Sequence, residues 1–411
     1  MRPNTVKFNE KDIRYYRALK KLTKFLSRHI FLIVLTLAVW SFGYFAFSSW
    51  HGNYGDGDGY MRALKIKHWL QSPSFWEQPI YESNYPFGEI THWTRPLDII
   101  WIIISLPFWF LNLPLKETLF LSGAFLSPII GIVAVLVLVY GLKRRFNIYL
   151  TLLGCLIFLC QPSTQAIMAP SRPDHHSLLL LLTTYSFSLV LCWLKKRQDR
   201  YLRLLGVTLA LATFTVVEGI IIYVLFLSFF LYLFIFKNIS LQSAVKISKY
   251  FALSVTVFWF LNPPYEGWFY LDTGRLSILY VVASWLTLIG FKILDLSHLH
   301  IARLKILSLI SMGLGFALAF LVIFGPDVFH SPFSKNIQEI FVGRISEMRS
   351  ITDLKFSGML ANYTFPLIAL ILNLILLRNR SYHRLLILNL CLGIPLFIAS
   401  CLHIRFLHYS I

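Results

Sequence analysis

Apolar residues in this chain occur in long runs that are separated by short polar or basic segments. Most runs are roughly 17 to 25 residues long, the length that a helix needs to cross about 30 Å of hydrocarbon. The pattern predicts an all-α integral membrane protein, built as a polytopic bundle of transmembrane helices. The runs fall at about 30–48, 97–113, 117–141, 147–161, 177–194, 201–217, 219–236, 249–261, 276–294, 303–325, 363–377 and 385–403.

The first run follows a strongly basic segment. Residues 1–29 carry nine Lys or Arg side chains and two acidic ones. No small-residue cleavage site leads from this run into a soluble domain, so we expect a retained first span. Because basic flanks tend to stay in the cytoplasm, residues 1–29 are predicted to be a cytoplasmic segment. Residues 30–411 are then the transmembrane domain of a multi-pass protein in the plasma membrane, which in a bacterium is the inner membrane.

We expect one run, at 97–113, not to cross the membrane. If every run crossed, the basic segments at 143–145 and 378–384 would lie outside the cell, against the preference of Lys and Arg for the cytoplasm. Pro107, Asn112 and Pro114 interrupt the helix of this run and leave too little uninterrupted length to span. The segment is therefore predicted to be a re-entrant or interfacial helix.

About eleven spans remain when that run does not cross, and the strongly basic gaps then all face the cytoplasm. The same count places four polar segments together on the outer side. These external loops are 49–96, 162–176, 262–275 and 326–362.

The distribution of charged residues and cysteines excludes some classes of function. The net charge is +19, yet the basic residues recur in the short gaps between runs, so they indicate membrane topology rather than a stripe that follows phosphates. We expect no nucleic-acid partner. The five cysteines lie in or at the ends of apolar runs without metal-ligand spacing, and they imply no disulfide framework.

Acidic and histidine residues concentrate in the predicted outer loops. Carboxylates at a membrane edge are costly, and they indicate a functional site. Carboxylates that converge from separate loops repel unless a cation lies between them, and oxygen ligands with an imidazole suit Mg²⁺ or Mn²⁺. Taken singly, each residue also has a structural explanation, such as a turn, an interfacial anchor or a solvated loop. The residues are Asp56, Asp58, Asp174, His175, His176 and Glu347.

Short motifs in these loops resemble a known family. "DGDGYMRALKIKHW" followed by "YPFGEITHWTRPLD" resembles the first external loop of the oligosaccharyltransferase catalytic subunits, within the GT-C superfamily of glycosyltransferases that use polyprenyl-phosphate-linked sugars. "SRPDHH" is similar to the second acidic motif of that family, with His176 where a carboxylate is usual. "GRISEMRS" resembles its external-loop motif that ends in Glu, and "HIRFLHY" resembles an arginine-bearing stretch of a late span.

The resemblance implies roles for individual residues. Asp58 is implied as the catalytic base or metal ligand, with Asp56 as its neighbour and Glu347 linking metal and acceptor. Asp174, His176 and His175 would complete a divalent cation site. Arg405 and Arg172 would hold the lipid-linked phosphate. The loop that faces donor or acceptor would include Tyr60, His92, Trp93 and Arg95.

These implications define an expected activity. The protein is expected to transfer a sugar or oligosaccharide from a polyprenyl-phosphate or pyrophosphate donor to an acceptor at the external membrane face. The chain ends at Ile411 without the family's C-terminal external domain, so the acceptor (glycan, lipid or protein) stays open, as does a partner subunit that would complete that domain. The alternative from another class is a polytopic transporter or flippase, which would place acids and broken helices near the bilayer midplane.

Overall fold

The computed structural model describes residues 10–49, 52–74, 76, 78–237, 239–297, 300–326, 350–377, 383–403 and 406. Glu347 and Arg405, two of the residues singled out above, lie outside this part of the chain. Helices dominate the described residues, and the pairing of Ile80 with Glu89 is an isolated antiparallel bridge among them. The all-α membrane fold expected from the sequence is confirmed.

The chain forms fourteen helices in the described ranges, together with a short 3₁₀ turn at Ile351–Asp353. They are α1 (Glu10–Ser49), α2 (Gly57–Gln71), α3 (Pro96–Phe110), α4 (Leu115–Leu142), α5 (Ile148–Cys160), α6 (Pro162–Ile167), α7 (His175–Lys196), α8 (Asp199–Thr215), α9 (Gly219–Lys237), α10 (Gln242–Leu261), α11 (Ile278–Leu296), α12 (Ala302–Phe324), α13 (Phe356–Leu376) and α14 (His383–Leu402).

Eight of the described helices are long and apolar enough to cross a membrane: α1, α4, α7, α9, α10, α11, α12 and α14. The sequence predicted about eleven spans. The two numbers differ because apolar composition alone does not show where a helix starts and ends. The run at 147–161 becomes a helix of only 13 residues, and the run at 201–217 becomes one of 17. Within α13 the apolar stretch is also short, Asn362–Leu376.

The helices of the bundle differ greatly in burial. In α7, 78% of the most apolar window is buried, whereas none of the corresponding window of α12 is buried. α7 packs between α4 and α8, and α8 packs against α10. A helix that is apolar on all sides and unburied is suited to face lipid, and a central helix such as α7 is suited to hold a site in a fixed position.

Helix α3 returns the chain along the start of α4. It continues through Pro107 to Phe110, so this proline does not end the helix as the sequence suggested. The turn comes at Asn112, which adopts a left-handed conformation with φ of 58°, followed by Pro114. The indole of Trp101 donates to Ser122 Oγ at 2.9 Å, which fixes α3 against the first turns of α4.

The hydrogen bonds of Trp101 and Ser105 in α3 both reach Ser122, in the first half of α4. The far end of α4 is elsewhere, because Lys143 beside it donates to the carbonyl of Ser27 in α1 at 3.0 Å. With 15 residues, α3 is about 22 Å long, less than the hydrocarbon thickness. The re-entrant or interfacial character predicted for residues 97–113 agrees with this arrangement.

Candidate functional site

The first acidic motif forms the start of α2. Asp56 is the N-cap residue, and its Oδ1 accepts a hydrogen bond from the backbone N–H of Gly59 at 3.1 Å. Asp58 lies in the first turn, where its side chain is exposed. Gly59 is buried, and a Cβ atom there would lie 3.1 Å from the ring carbons of Pro173. The Gly-Asp-Gly spacing therefore lets the start of α2 approach the second predicted external loop closely.

Backbone hydrogen bonds hold that second loop against the first. The N–H of Gly55 donates to the carbonyl of Ser171 at 2.8 Å, and Ser171 N–H donates to the carbonyl of Ala124 at 2.9 Å. The hydroxyl of Ser127 donates to the carbonyl of Arg172 at 2.5 Å. Two segments more than a hundred residues apart are thus joined on the wall of α4.

Arg172 connects the acidic residues of the two loops. Its Nε lies 3.5 Å from Asp56 Oδ2, and its Nη2 lies 3.7 Å from Asp174 Oδ2. The guanidinium thus offsets the repulsion between the two carboxylates, as a planar group with several donors can. The family resemblance predicted that Arg172 binds a lipid phosphate, and this stays a prediction. In the structure its guanidinium bridges the two acidic motifs.

Asp174, His175 and His176 form a compact buried group at the start of α7. Asp174 is the N-cap residue and accepts from the N–H of His176 at 3.3 Å, while its Oδ1 lies 2.8 Å from His175 Nδ1. Burial alone would raise the pKa of Asp174. The adjacent imidazoles, together with Arg172, outweigh that effect and hold the pKa well below its ordinary value. The carboxyl group is therefore ionised and available as a ligand.

This group could hold a metal ion. One ligand atom from each of Asp174, His175 and His176 lies within 4.8 Å of the others. Atoms that share an ion at about 2.0 to 2.2 Å lie about 3 to 4.4 Å apart, so only a small adjustment is needed. Two imidazoles beside one carboxylate suit Mn²⁺ or Zn²⁺ better than Mg²⁺, which prefers oxygen ligands.

Asp98 of α3 forms a buried ionic cluster with Arg62 and Lys65 of α2. Asp98, only 1% exposed, binds Arg62 Nη1 at 2.7 Å and Lys65 Nζ at 3.1 Å. Lys65 also donates to the carbonyl of Trp93 at 2.5 Å, and the guanidinium of Arg62 lies 4.8 Å above the Trp93 ring. The Trp93 ring centre is in turn 6.4 Å from that of His175. The cluster thus connects α2 and the start of α3 to the group of Asp174, His175 and His176.

Sequence reasoning missed this cluster. The available signal was the spacing of Arg62 and Lys65, which places two cations on one face of a short helix, and an aspartate in the first turn of a helix that starts at Pro96. Asp58 precedes Arg62 by four positions, so it shares that face of α2. Helical geometry thus places Asp58 on the side of α2 that carries the cluster.

The remaining residues of the predicted donor or acceptor loop are divided between two locations. His92 and Trp93 belong to the site. Desolvation by the surrounding chain, with the positive charges of His175, Arg62 and Lys65, lowers the pKa of His92 to about 4, although the residue is exposed in part. The imidazole is therefore neutral at pH 7.

Arg95 and Tyr60 point elsewhere. The guanidinium of Arg95 lies 4.7 Å above the ring of Trp69 and donates to the carbonyl of Ser74 at 2.8 Å. The hydroxyl of Tyr60 accepts from the N–H of Tyr54 at 3.1 Å. These contacts stabilise the loop rather than line the acidic group.

The third predicted external loop also contacts the first. The backbone N–H of Arg95 donates to Asn262 Oδ1 at 3.2 Å, and the rings of Trp76 and Trp268 are 4.9 Å apart. Three of the four predicted external loops thus meet at one end of the bundle. The fourth lies mostly outside the described residues, so the location of Glu347 stays a prediction.

The fold and site define a polytopic membrane protein whose acidic and histidine residues start two helices at one end of the bundle. No protein-family model matches the chain, and no curated protein matches it. Solved structures do match. Among them are structures of an oligosaccharyltransferase from Archaeoglobus fulgidus, in one case named AglB.

The structure with an inhibitory peptide and a dolichol-phosphate has a TM-score of 0.70 and 18% identity, covering 93% of this chain and 49% of that chain. The structure tethered to an acceptor peptide with an NVT sequon has a TM-score of 0.67 and 17% identity, covering 94% and 48%. The structure with Zn and sulfate has a TM-score of 0.63 and 18% identity, covering 92% and 47%.

These comparisons establish the fold. The chain has the architecture of the archaeal oligosaccharyltransferase over nearly its whole length, and it spans about half the length of those chains. The predicted resemblance to oligosaccharyltransferases is therefore confirmed at the level of the fold. What the site does follows from its own residues.

Proposed function

We propose that the protein is a membrane glycosyltransferase that transfers a sugar or oligosaccharide from a polyprenyl-phosphate or pyrophosphate donor to an acceptor at the external membrane face. One observation carries the proposal: Arg172 bridges Asp56 at the start of α2 and Asp174 in the buried Asp-His-His group of α7. The fold shared with an oligosaccharyltransferase that has been solved with a dolichol-phosphate supports the donor class.

In the proposed reaction, an oxygen or nitrogen of the acceptor bonds to the anomeric carbon of the sugar. The bond from that carbon to the phosphate oxygen breaks, and the lipid phosphate leaves with the electron pair. Asp58, exposed at the start of α2, accepts the proton of the acceptor. Arg172 orients the two acidic motifs and offers a guanidinium to the phosphate.

We further propose that a divalent cation belongs to this site, with Asp174, His175 and His176 as ligands and Asp58 as an additional one. Such a cation would supply positive charge opposite the leaving phosphate. Glu347 is proposed to close over the acceptor, and Arg405 is proposed to bind the lipid phosphate.

The location of the charged residues favours this function over transport. A transporter binds substrate near the bilayer midplane, between interrupted helices of two repeats. Here Asp56 and Asp174 are both N-cap residues, at the first turns of α2 and α7, and they lie together at one end of the bundle. That arrangement suits a reaction at the membrane surface.

The test is transfer by purified protein in liposomes that contain a lipid-linked sugar from the source membrane. Asp58→Asn should lower transfer by about a hundredfold or more, because an amide accepts no proton and is a weaker ligand. Asp56→Asn is the matched control, because asparagine is an equally good N-cap residue and should preserve the start of α2. We expect a milder loss there.

Equal folding of both variants is checked by their melting temperatures. Full activity of the double variant would remove the proposed mechanism. An inactive Asp56→Asn beside an active Asp58→Asn would transfer the role of base to Asp56.

A further inference from the structure

A cavity of about 550 Å³ lies between α2 and the start of α4. This volume falls in the range of about 300 to 1,000 Å³ that holds small ligands. One wall is a stripe of α2 that includes Tyr60, Ala63 and Lys67, and the other is the first two turns of α4, including Phe120. Most of the lining is apolar, so the cavity suits a hydrocarbon chain.

The cavity lies where a membrane surface is expected. α4 has 28 residues and is one of the helices that can cross a membrane, with a length of about 42 Å. A bilayer is about 40 to 45 Å thick with its head groups, so the first turns of α4 fall in the head-group layer. An apolar cavity at this depth is accessible to lipid chains.

Charged residues that line the cavity indicate which lipid head group would bind there. Lys67 and Lys116 contribute two positive charges, and Glu117 contributes one negative charge. Lys116 and Glu117 are exposed, so their charges are accessible from outside the protein. The surplus of positive charge favours a negatively charged head group, as in basic pockets between transmembrane helices.

The cavity lies on the opposite face of α2 from the ionic cluster. At 100° per residue, Tyr60, Ala63 and Lys67 centre about 180° from the face of Arg62 and Lys65. An occupant would therefore contact the back of α2, away from Asp174. The occupant would stabilise the position of α2, which carries Asp58, without contacting the candidate site.

We propose that this cavity binds a membrane phospholipid with an anionic head group. One acyl chain fills the apolar space beside Ala63 and Phe120, and the phosphate lies between Lys67 and Lys116. The bound lipid fixes α2 against α4. This proposal is independent of glycosyl transfer, because it concerns a structural lipid and a different face of α2.

The test measures lipid retention by native mass spectrometry of the purified protein in detergent. Wild-type protein should retain phosphatidylglycerol at least tenfold more than phosphatidylcholine of the same chain length. The double variant Lys67→Glu, Lys116→Glu should lose this excess. Lys195→Glu, Lys196→Glu is the matched control, with the same charge change on exposed residues at the end of α7, and it should behave as wild type.

A variant that fills the cavity separates chain binding from charge. Ala63→Trp should lower retention of phosphatidylglycerol while leaving all lysines in place. Equal retention of the two lipids by wild-type protein would overturn the proposal without any variant. Unchanged retention in both the Lys67→Glu, Lys116→Glu and the Ala63→Trp proteins would also overturn it.

Discussion

At the scale of single residues, the neutral state of His92 has a measurable consequence. Its pKa of about 4 in the folded protein is below the ordinary value of 6.5. The folded state therefore binds fewer protons, and the stability that this residue contributes is complete above about pH 6.5 and is lost as the pH falls toward 4. Acidification should thus destabilise the protein partly through His92.

We expect the melting temperature of wild-type protein to fall between pH 7 and pH 4.5 by about 2 °C more than that of His92→Gln. The variant keeps a neutral polar side chain and cannot be protonated. Differential scanning fluorimetry in detergent at the two pH values measures the difference. Identical pH dependence of the two proteins would show that the imidazole is not held neutral.

The local conformation of the first acidic motif also belongs to this scale. Sequence reasoning found Asp56 and Asp58 because charge at the edge of an apolar run is unusual. It could not assign the cap, because both aspartates stand near the start of a possible helix and both are good N-cap residues. In the structure Asp56 is the N-cap residue of α2, and Asp58 is exposed in the first turn.

At the scale of elements, the buried cluster should dominate the attachment of α2 to α3. Removing one partner of a buried ion pair leaves charges without compensation and costs about 3 to 5 kcal/mol. Asp98→Asn leaves Arg62 and Lys65 without their carboxylate, so we expect a loss of that order in the free energy of unfolding. Denaturant titration followed by tryptophan fluorescence measures it.

Asp199→Asn serves as the comparison for this cluster. Asp199 binds Lys246 at 2.6 Å, but both side chains are well exposed, at 57% and 39%. Exposed pairs contribute about 1 kcal/mol or less. If the two substitutions had equal effects, the ionic cluster would not be a major element of stability.

The packing of α3 on α4 depends on a glycine. A Cβ atom at Gly123 would overlap the ring of Trp101 and the hydroxyl of Tyr54, both of which are buried. Gly123→Ala should therefore lower the melting temperature, because rings in a packed core cannot move aside cheaply. The same change at Gly315 in α12, where a Cβ atom meets nothing within 4 Å, should be neutral or stabilising by about 1 kcal/mol or less.

Thermal unfolding of the two glycine variants decides this point. A Gly123→Ala protein as stable as Gly315→Ala would mean that α3 does not pack tightly on α4. The approach of the two helices would then need another explanation.

At the scale of the whole molecule, the path of α3 sets the side of the membrane on which every later loop lies. Because α3 has 15 residues and is hydrogen-bonded through Trp101 and Ser105 to the first half of α4, we expect Lys116 to be on the same side as Glu82. In a background without the five native cysteines, Cys at position 116 or 82 should react with a membrane-impermeant maleimide added from outside.

Cys at position 195, at the end of α7, is the control for this labelling and should react only from the cytoplasmic side. α7 starts at the site and is long and apolar enough to cross a membrane, so we expect its two ends on opposite sides. Reaction of position 116 from the cytoplasm would show that α3 crosses, and it would separate the loops assigned here to one face.

The sequence by itself determined the class of fold and singled out the acidic and histidine residues of the candidate site. The length and repetition of the apolar runs indicate a helical membrane protein, because a lipid environment permits few other structures for such runs. The cost of charge at a membrane edge makes Asp56, Asp58, Asp174 and the two histidines conspicuous without any structure. Proline and the distribution of basic residues were sufficient to single out α3.

The tertiary structure alone decided which charges meet. Arg172 bridges Asp56 and Asp174, and Arg62 and Lys65 meet Asp98, through contacts between segments far apart in the chain. Composition and helical period describe each segment separately, so they carry no information about such pairs. The ends of α5 and α8, and with them the number of long helices, were likewise visible only in the structure, because apolar content does not define the residue at which a helix ends.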